Sequence, residues 1–179
     1  KGYESITNEN TLEKWLKILK EQSIIAVDTE TSSLNPLEAD LVGISFSYAP
    51  NKACYIPLAH KNIKGLKKEL VLKKIKPILE DPSIKKVGQN IKFDFLILGQ
   101  SNIKITPLED TMLISYTLDA GTNRHNLDTL SEIHLNHKTI SYKELVGTGK
   151  NKLNFSDIAL DKATEYAAED ADVTLRLYS

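Results

Sequence analysis

Apolar positions near the start of the chain recur first with helical spacing and then with strand spacing. Residues 11–22, TLEKWLKILKEQ, place three leucines and a tryptophan on one stripe, which predicts an amphipathic helix with Asn10 as its N-cap. Three β-branched runs follow, SIIAVDTE, LVGISFSYA and KACYIPLA, and the last two flank a Pro-Asn turn. They predict three adjacent strands of an antiparallel meander.

The second half of the chain is predicted to be mostly helical. A lysine-rich helix over Lys61–Lys76 is expected to bend or end at Pro77. Then IKKVG reads as a short buried strand and NIKFDFLILGQ as a helix, and from Leu108 onward the pattern is helical. Strands first and helices last indicate an α/β domain, a mixed central β-sheet flanked by α-helices. We expect residues 1–179 to form this single domain.

The amino-acid composition says more about the cellular compartment of the protein than about its function. The net charge of −1 gives no electrostatic sign of nucleic-acid binding, and the lysine-rich segment is typical of a solvated helix face or a phosphate-steering patch. A single cysteine, Cys54, fits a reducing compartment, and no apolar run is long enough for a membrane span. We expect a soluble, cytoplasmic protein without a membrane. Because the chain starts at Lys1 and its only methionine is Met112, we expect a fragment of a longer protein.

Two carboxylates mark the end of the first predicted strand of the meander. Asp28 and Glu30 are two residues apart in IIAVDTE, so the strand period turns both side chains to one face. Two like charges on a buried strand repel unless a cation neutralises them, and a divalent metal ion meets that need. Alone, the pair is more typical of a strand that runs into a solvated turn with no metal.

Further acidic residues lie in the helical half. Tyr166 and Asp170 are four residues apart in TEYAAEDADVTL and share one helix face, although such a helix can also be simply acidic. Asp94 lies inside the apolar run FDFLIL, where the alternative to a functional carboxylate is an exposed helix position.

Three segments, taken together and in order, resemble the motifs of a known superfamily. VDTETSSL, VGQNIKFDFLIL and YAAEDADVTLRL resemble the Exo I, Exo II and Exo III motifs of the DEDD exonucleases, and the tyrosine four residues before the last aspartate marks the DEDDy subgroup. TNRHNLDTL and HKTISYKELVGTGKNKLNFSDIAL resemble the 3′→5′ proofreading exonuclease domain of bacterial DNA polymerase I. The resemblance covers about Ile24 to Leu177 and implies a ribonuclease H-like fold.

The resemblance implies a set of metal-binding carboxylates: Asp28, Glu30, Asp94 and Asp170. In that family the counterpart of Asp28 bridges two divalent ions, Glu30 and Asp170 complete one ion site, and Asp94 supports the other. Tyr166 helps to orient the attacking water. Hard oxygen ligands suit Mg²⁺ or Mn²⁺, and the expected product is a nucleoside 5′-monophosphate.

The resemblance also implies substrate contacts. Leu34 matches an apolar residue that wedges against the terminal base, and Gln89 and Asn90 match polar residues near the terminal nucleotide. Tyr142 matches an aromatic residue that stacks on it, and Arg124 matches a basic residue that meets backbone phosphate. Leu34 and Tyr142 also fit ordinary packing positions. Ser32 departs from the family, in which this position is often acidic.

The function expected from these implications is proofreading of single-stranded or frayed DNA 3′ ends, with a polymerase domain in the same chain and the protein acting as a monomer. Two alternatives stay open. The first is a non-catalytic scaffold domain of a polymerase, against which the complete set of carboxylates argues. The second is a stand-alone relative that acts on RNA 3′ ends, similar to ribonuclease D.

Overall fold

A six-stranded mixed β-sheet forms the centre of the computed structural model, which describes residues 2–33, 35–111 and 126–179. The strands are β1 (Gly2–Ser5), β2 (Ile24–Thr31), β3 (Leu41–Ala49), β4 (Lys52–Pro57), β5 (Lys85–Gly88) and β6 (Leu108–Asp110). Their order across the sheet is β1-β4-β3-β2-β5-β6. The central strands β2, β3 and β4 pair antiparallel, which confirms the predicted meander, and β1, β5 and β6 join as parallel strands.

Helices flank this sheet, as the predicted α/β fold requires. They are α1 (Glu9–Lys20), α2 (Lys68–Leu79), α3 (Ile91–Gly99), α4 (Leu127–Leu135), α5 (Tyr142–Val146) and α6 (Leu160–Tyr178). Short 3₁₀ turns lie between α5 and α6 at Gly149–Asn151 and Phe155–Asp157. Among the helices of the described residues, none is long and apolar enough to cross a membrane.

Strand β2 shows how the sheet divides the core. Its residues Ile25 and Val27 pack in the larger hydrophobic cluster, together with side chains of α1 and α2. Ala26 points to the opposite face and packs against Ala171 and Leu175 of α6. Because side chains alternate along a strand, every second residue after Ala26 also faces α6.

Helix α6 lies close to the sheet because it presents a small-residue face to it. Four alanines on this helix are fully buried: Ala163, Ala167, Ala168 and Ala171. Buried Asp172 then fixes the rotation of the helix. Its carboxylate accepts hydrogen bonds from the Tyr3 hydroxyl at 2.6 Å, from the Asn51 backbone N–H at 2.9 Å and from the Arg176 guanidinium at 2.7 Å.

Some helix boundaries differ from the prediction. The N-cap of α1 is Asn8, not Asn10, because the Asn8 side chain accepts a hydrogen bond from the Thr11 N–H at 2.9 Å. Helix α2 begins only at Lys68, so the first lysines of the basic segment precede it. Pro77 lies inside α2, and the helix ends two residues later, at Leu79.

Two short edge strands were not predicted. β1 has four residues and β6 has three, so neither is long enough to show a period-two pattern in the sequence. Both are held by parallel pairing with strands distant in the sequence. The expectation of helix from Leu108 onward was therefore wrong for Leu108–Asp110. Most of the predicted helix DTMLISYTLDA lies outside the described residues.

Replacement of Gly43 is expected to destabilise the sheet. A Cβ atom at Gly43 would lie 1.9 Å from the hydroxyl oxygen of Tyr55, and this tyrosine is fully buried. We expect Gly43→Ala to lower the free energy of unfolding, measured by urea denaturation, by about 1–3 kcal/mol. Gly99→Ala is the control, because a Cβ there meets nothing within 4 Å. Equal unfolding midpoints for the two variants would contradict this account of Gly43.

Candidate active site

Three carboxylates from two elements meet where β2 passes under α6. Asp28 and Glu30 follow Ala26 at intervals of two residues and therefore face α6, which carries Asp170. One carboxylate oxygen from each of the three residues lies within 4.8 Å of the others. This spacing suits oxygen ligands around a divalent cation, which bind at about 2.0–2.6 Å. The face predicted for the carboxylates of β2 is thus the one that meets α6.

Asp94 reaches the same region from α3. Its side chain is only 3% exposed, so the alternative of an exposed helix position is wrong. The carboxylate accepts hydrogen bonds from the backbone N–H of Thr29 at 2.9 Å and from the Thr29 hydroxyl. Thr29 lies between Asp28 and Glu30 in β2, so Asp94 is tied to the strand that carries those two residues. It is not one of the three residues whose ligand atoms cluster.

Burial raises the pKa of all four carboxyl groups, and repulsion from the Asp28 charge adds to this effect at Glu30, Asp94 and Asp170. Burial raises the pKa of Asp28 to about 6. The pKa values of Glu30, Asp94 and Asp170 lie well above their ordinary range, first because of burial and second because of the Asp28 charge. A hydrogen bond between Asp28 and Glu30 lowers the pKa of Asp28 and raises that of Glu30. The cluster therefore needs protons or cations to offset its charge.

Tyr166 lies one helical turn before Asp170 and faces the same carboxylates. A hydrogen bond with Tyr166 lowers the pKa of Asp170 and partly offsets the effect of burial. Burial, followed by the nearby carboxylates, raises the pKa of Tyr166, so its hydroxyl keeps its proton. The ring centroid lies 5.9 Å from that of Phe155 and 6.0 Å from that of Tyr142. The hydroxyl is thereby held beside Asp170.

The carboxylates line a cleft with a volume of about 750 Å³. Gln89, Asn90 and Tyr142, which were expected to contact substrate, line it as well. The structure therefore brings three of the five expected substrate contacts to the cleft. The other two, Leu34 and Arg124, lie outside the described residues.

Asp110 is a positioning residue that the sequence analysis missed. Asn90 adopts a left-handed conformation with φ 55° just before α3, and its backbone N–H donates to the Asp110 carboxylate at 2.9 Å. The Ile91 N–H donates to the same carboxylate at 3.0 Å. Asp110 thus caps the helix that carries Asp94, and it was missed because the segment around it was read as helical.

Glu169 and the segment after α5 complete the wall around Tyr142. Buried Glu169 accepts a hydrogen bond from the Ile140 N–H at 2.7 Å, which fixes the chain two residues before Tyr142. Lys152, Leu153 and Asn154 also line the cleft. None of these residues was predicted, because each depends on contacts between segments far apart in the sequence. Only the adjacency of Glu169 to Asp170 could have drawn attention to it.

A family model described as 3′-5′ exonuclease matches residues 3–179. Among curated relatives, DNA polymerase I of Rhizobium leguminosarum is 42% identical over 99% of this chain. The match covers 19% of that relative, so the chain spans about a fifth of the length of this polymerase.

Solved structures share the fold at lower identity. Escherichia coli RNase D, an exoribonuclease involved in structured RNA processing, superposes with a TM-score of 0.73 at 19% identity, over 99% of this chain and 44% of that one. Brucella melitensis NrnC with bound Mg²⁺ gives 0.69 at 23% identity, over 99% and 77% of the two chains. These similarities confirm the predicted ribonuclease H-like fold, and the family model confirms the predicted enzyme class, an exonuclease. Because that model spans almost the whole sequence, the chain belongs to the 3′-5′ exonuclease family.

Proposed function

We propose that the chain removes nucleoside 5′-monophosphates, one at a time, from single-stranded or frayed DNA 3′ ends by two-metal-ion phosphodiester hydrolysis. The observation that carries the proposal is the convergence of Asp28, Glu30 and Asp170 within 4.8 Å, with Asp94 tied to the same strand. In the reaction a water oxygen bonds to phosphorus and the bond from phosphorus to the 3′ oxygen breaks. A shortened strand with a new 3′ hydroxyl remains.

The donor set fits divalent ions of the Mg²⁺ or Mn²⁺ type. All four candidate ligands are hard carboxylate oxygens, and burial raises the pKa of each because the charged form is poorly solvated there. Asp28, Glu30 and Asp170 would hold one ion, and Asp94 would support a second. When bound, such ions lower the pKa of a water and stabilise the leaving oxygen. The Mg²⁺ bound to Brucella melitensis NrnC, which shares this fold, supports the choice of ion.

The chain's own residues would orient the reactants. The Tyr166 hydroxyl donates a hydrogen bond to the Asp170 carboxylate, so its oxygen can accept a hydrogen bond from the attacking water. Tyr142 lines the cleft and offers an aromatic ring for stacking on the terminal base. Asn90 and Gln89 supply polar groups on the cleft wall. Stacking grips any base, so the site needs no sequence readout.

The relatives support a proofreading role within DNA polymerase I. They are named DNA polymerase I and are about five times as long as the match. We therefore propose that residues 1–179 form one domain beside a polymerase domain of the same chain, and that the protein acts as a cytoplasmic monomer. Mispaired ends unpair at lower cost, so selection for them can come from fraying.

Cleavage of a 5′-labelled single-stranded DNA oligonucleotide tests the activity. With Mg²⁺ or Mn²⁺ we expect a ladder that shortens from the 3′ end, and with chelator no cleavage. Asp28→Ala and Asp94→Ala are expected to lower kcat by at least about 100-fold. Tyr166→Phe keeps the ring but loses one hydrogen bond, and is expected to cost about 10-fold. Exposed Glu165→Gln, on the same helix, is the control that retains activity.

Other outcomes of this assay would replace the proposal. Trimming of a matched RNA with intact DNA would make the chain an exoribonuclease, as the fold shared with RNase D allows. Cleavage of neither substrate with either metal would favour a scaffold domain. Full activity of Asp28→Ala would contradict the ligand assignment.

The pH dependence of stability tests the electrostatics of the carboxylates. Burial raises the pKa of Asp28 from 3.8 to about 6, and the other three pKa values are also raised. The folded state therefore binds protons more tightly than the unfolded state, so this contribution to stability is present at low pH and lost as pH rises through the folded pKa values. We therefore expect the Tm of the chelator-treated chain to fall as pH rises from about 4 through about 6, the folded pKa of Asp28, and to fall further as the other three groups lose their protons.

Added Mg²⁺ is expected to reverse that loss at neutral pH by several degrees, since about 1 kcal/mol moves the Tm of a domain of this size by about 2–4 °C. Asp28→Asn removes one charge without changing shape. It is expected to raise the Tm of the chelator-treated chain at neutral pH and to weaken the effect of Mg²⁺. A Tm at neutral pH that is the same with chelator and with Mg²⁺ or Mn²⁺ would contradict the proposed metal site.

A further inference from the structure

Lys152 is the one cation among the described residues that line the cleft, where the four carboxylates also lie. We propose that its ammonium group binds a backbone phosphate of the strand whose 3′ end enters the cleft. This inference rests on the proposed function, because it assumes a nucleic-acid strand as substrate. A phosphate-binding group is needed on the wall because the floor of the site is acidic and attracts phosphate only where it holds metal ions.

The position of the ammonium group supports this role. Lys152 Nζ lies 5.7 Å from the centroid of the Tyr142 ring, within the range of a cation–π contact. The same ring also packs against Tyr166, with centroids 6.0 Å apart. The cation is therefore beside the residue proposed to stack on the terminal base, where the backbone of a stacked nucleotide would pass.

The backbone that carries Lys152 is fixed, although its side chain is exposed. The Lys152 N–H donates to the Gly149 carbonyl at 3.3 Å, and the Leu153 N–H donates to the Val146 carbonyl at 2.8 Å. The Asn154 side chain then donates to the Ser32 carbonyl at 3.3 Å, which ties this segment to the chain that follows β2. The long Lys152 side chain can therefore move its ammonium group while the backbone of the cleft wall stays in place.

Substrate binding would exchange one contact of Lys152 for another. A cation–π contact at an exposed site is weaker than a hydrogen bond between an ammonium group and a phosphate. The ammonium group would therefore leave the Tyr142 ring for the phosphate, and the ring would become accessible to the base. Lys150 provides a matched control, since it is exposed and two residues away but is not among the residues that line the cleft.

The salt dependence of cleavage tests this assignment. Lys152→Gln removes the charge but keeps a polar side chain of similar length. We would measure kcat and KM for a single-stranded oligothymidine with fixed Mg²⁺ over about 50–200 mM salt, the range in which phosphate contacts weaken strongly. The slope of log(kcat/KM) against log salt is expected to become shallower by about 0.7, the value for one phosphate contact on a single strand. KM is expected to rise several-fold, with kcat unchanged.

The controls distinguish this inference from the proposed function. Lys150→Gln is expected to keep the wild-type slope, and Lys152→Arg is expected to retain most of it, because both keep a cation at residue 152. An unchanged slope for Lys152→Gln, or an equal change for Lys150→Gln, would overturn the inference while wild-type cleavage still upheld the proposed function. If the wild-type chain cleaves neither DNA nor RNA, both are overturned.

Discussion

Repulsion among four neighbouring carboxylates is the constraint on which the rest of the site depends. Asp28, Glu30, Asp94 and Asp170 each have a raised pKa, and burial is the first cause in every case. Such a cluster opposes folding unless protons or cations offset it. Two kinds of contact hold the groups together: hydrogen bonds made directly to a carboxylate, as from Thr29 to Asp94, and hydrogen bonds that fix the backbone of an element that carries one. The Asp110 cap on α3 is an example of the second kind.

Helix α6 joins the packing of the sheet to the chemistry of the site. Its buried alanines allow close contact with the strands, and Asp172 locks its rotation through bonds to Tyr3 and Asn51. Because the rotation of α6 is fixed, the Asp170 side chain lies at the end of β2, next to Asp28 and Glu30. Glu169 of the same helix accepts a hydrogen bond from the Ile140 N–H, and this contact connects α6 to the segment that carries Tyr142. A helix placed by alanine packing and by the Asp172 hydrogen bonds thus positions both a candidate metal ligand and an aromatic wall.

The sequence predicted those parts of the site that depend on spacing within one element. Asp28 and Glu30 share a face because strands alternate, and Tyr166 and Asp170 share one because they are four residues apart on a helix. Spacing could not decide whether Asp94 was buried, since that depends on Thr29, 65 residues earlier. Only the resemblance to the DEDD exonucleases linked Asp94 to the other three carboxylates; periodicity did not.

Contacts between segments distant in the sequence could not be predicted, because residue spacing describes only positions within one element. Asp110 caps α3 only because β6 pairs with β5, and a three-residue strand has too few side chains to show alternation. The N-cap of α1 is Asn8 rather than Asn10. The backbone geometry at the start of the helix decides which of these two asparagine side chains caps it, and the sequence does not show that geometry. The sequence did not identify Lys152 as a cleft residue, because its position depends on how the segment after α5 packs against Tyr142.

Specificity in such a site must come from its walls. Under the proposed function, the carboxylates would act on a phosphodiester that DNA and RNA share, so the candidate metal-binding end of the cleft would not distinguish the two. Among the described wall residues, Tyr142 offers a ring that accepts any base and Lys152 a charge that accepts any phosphate. Under the proposed function, selection therefore acts on the state of the strand: an end that is already unpaired can reach the cleft, and a paired end must first give up its base pairs. A cleft that ignores base identity is then an advantage, because every mismatch presents the same unpaired chain.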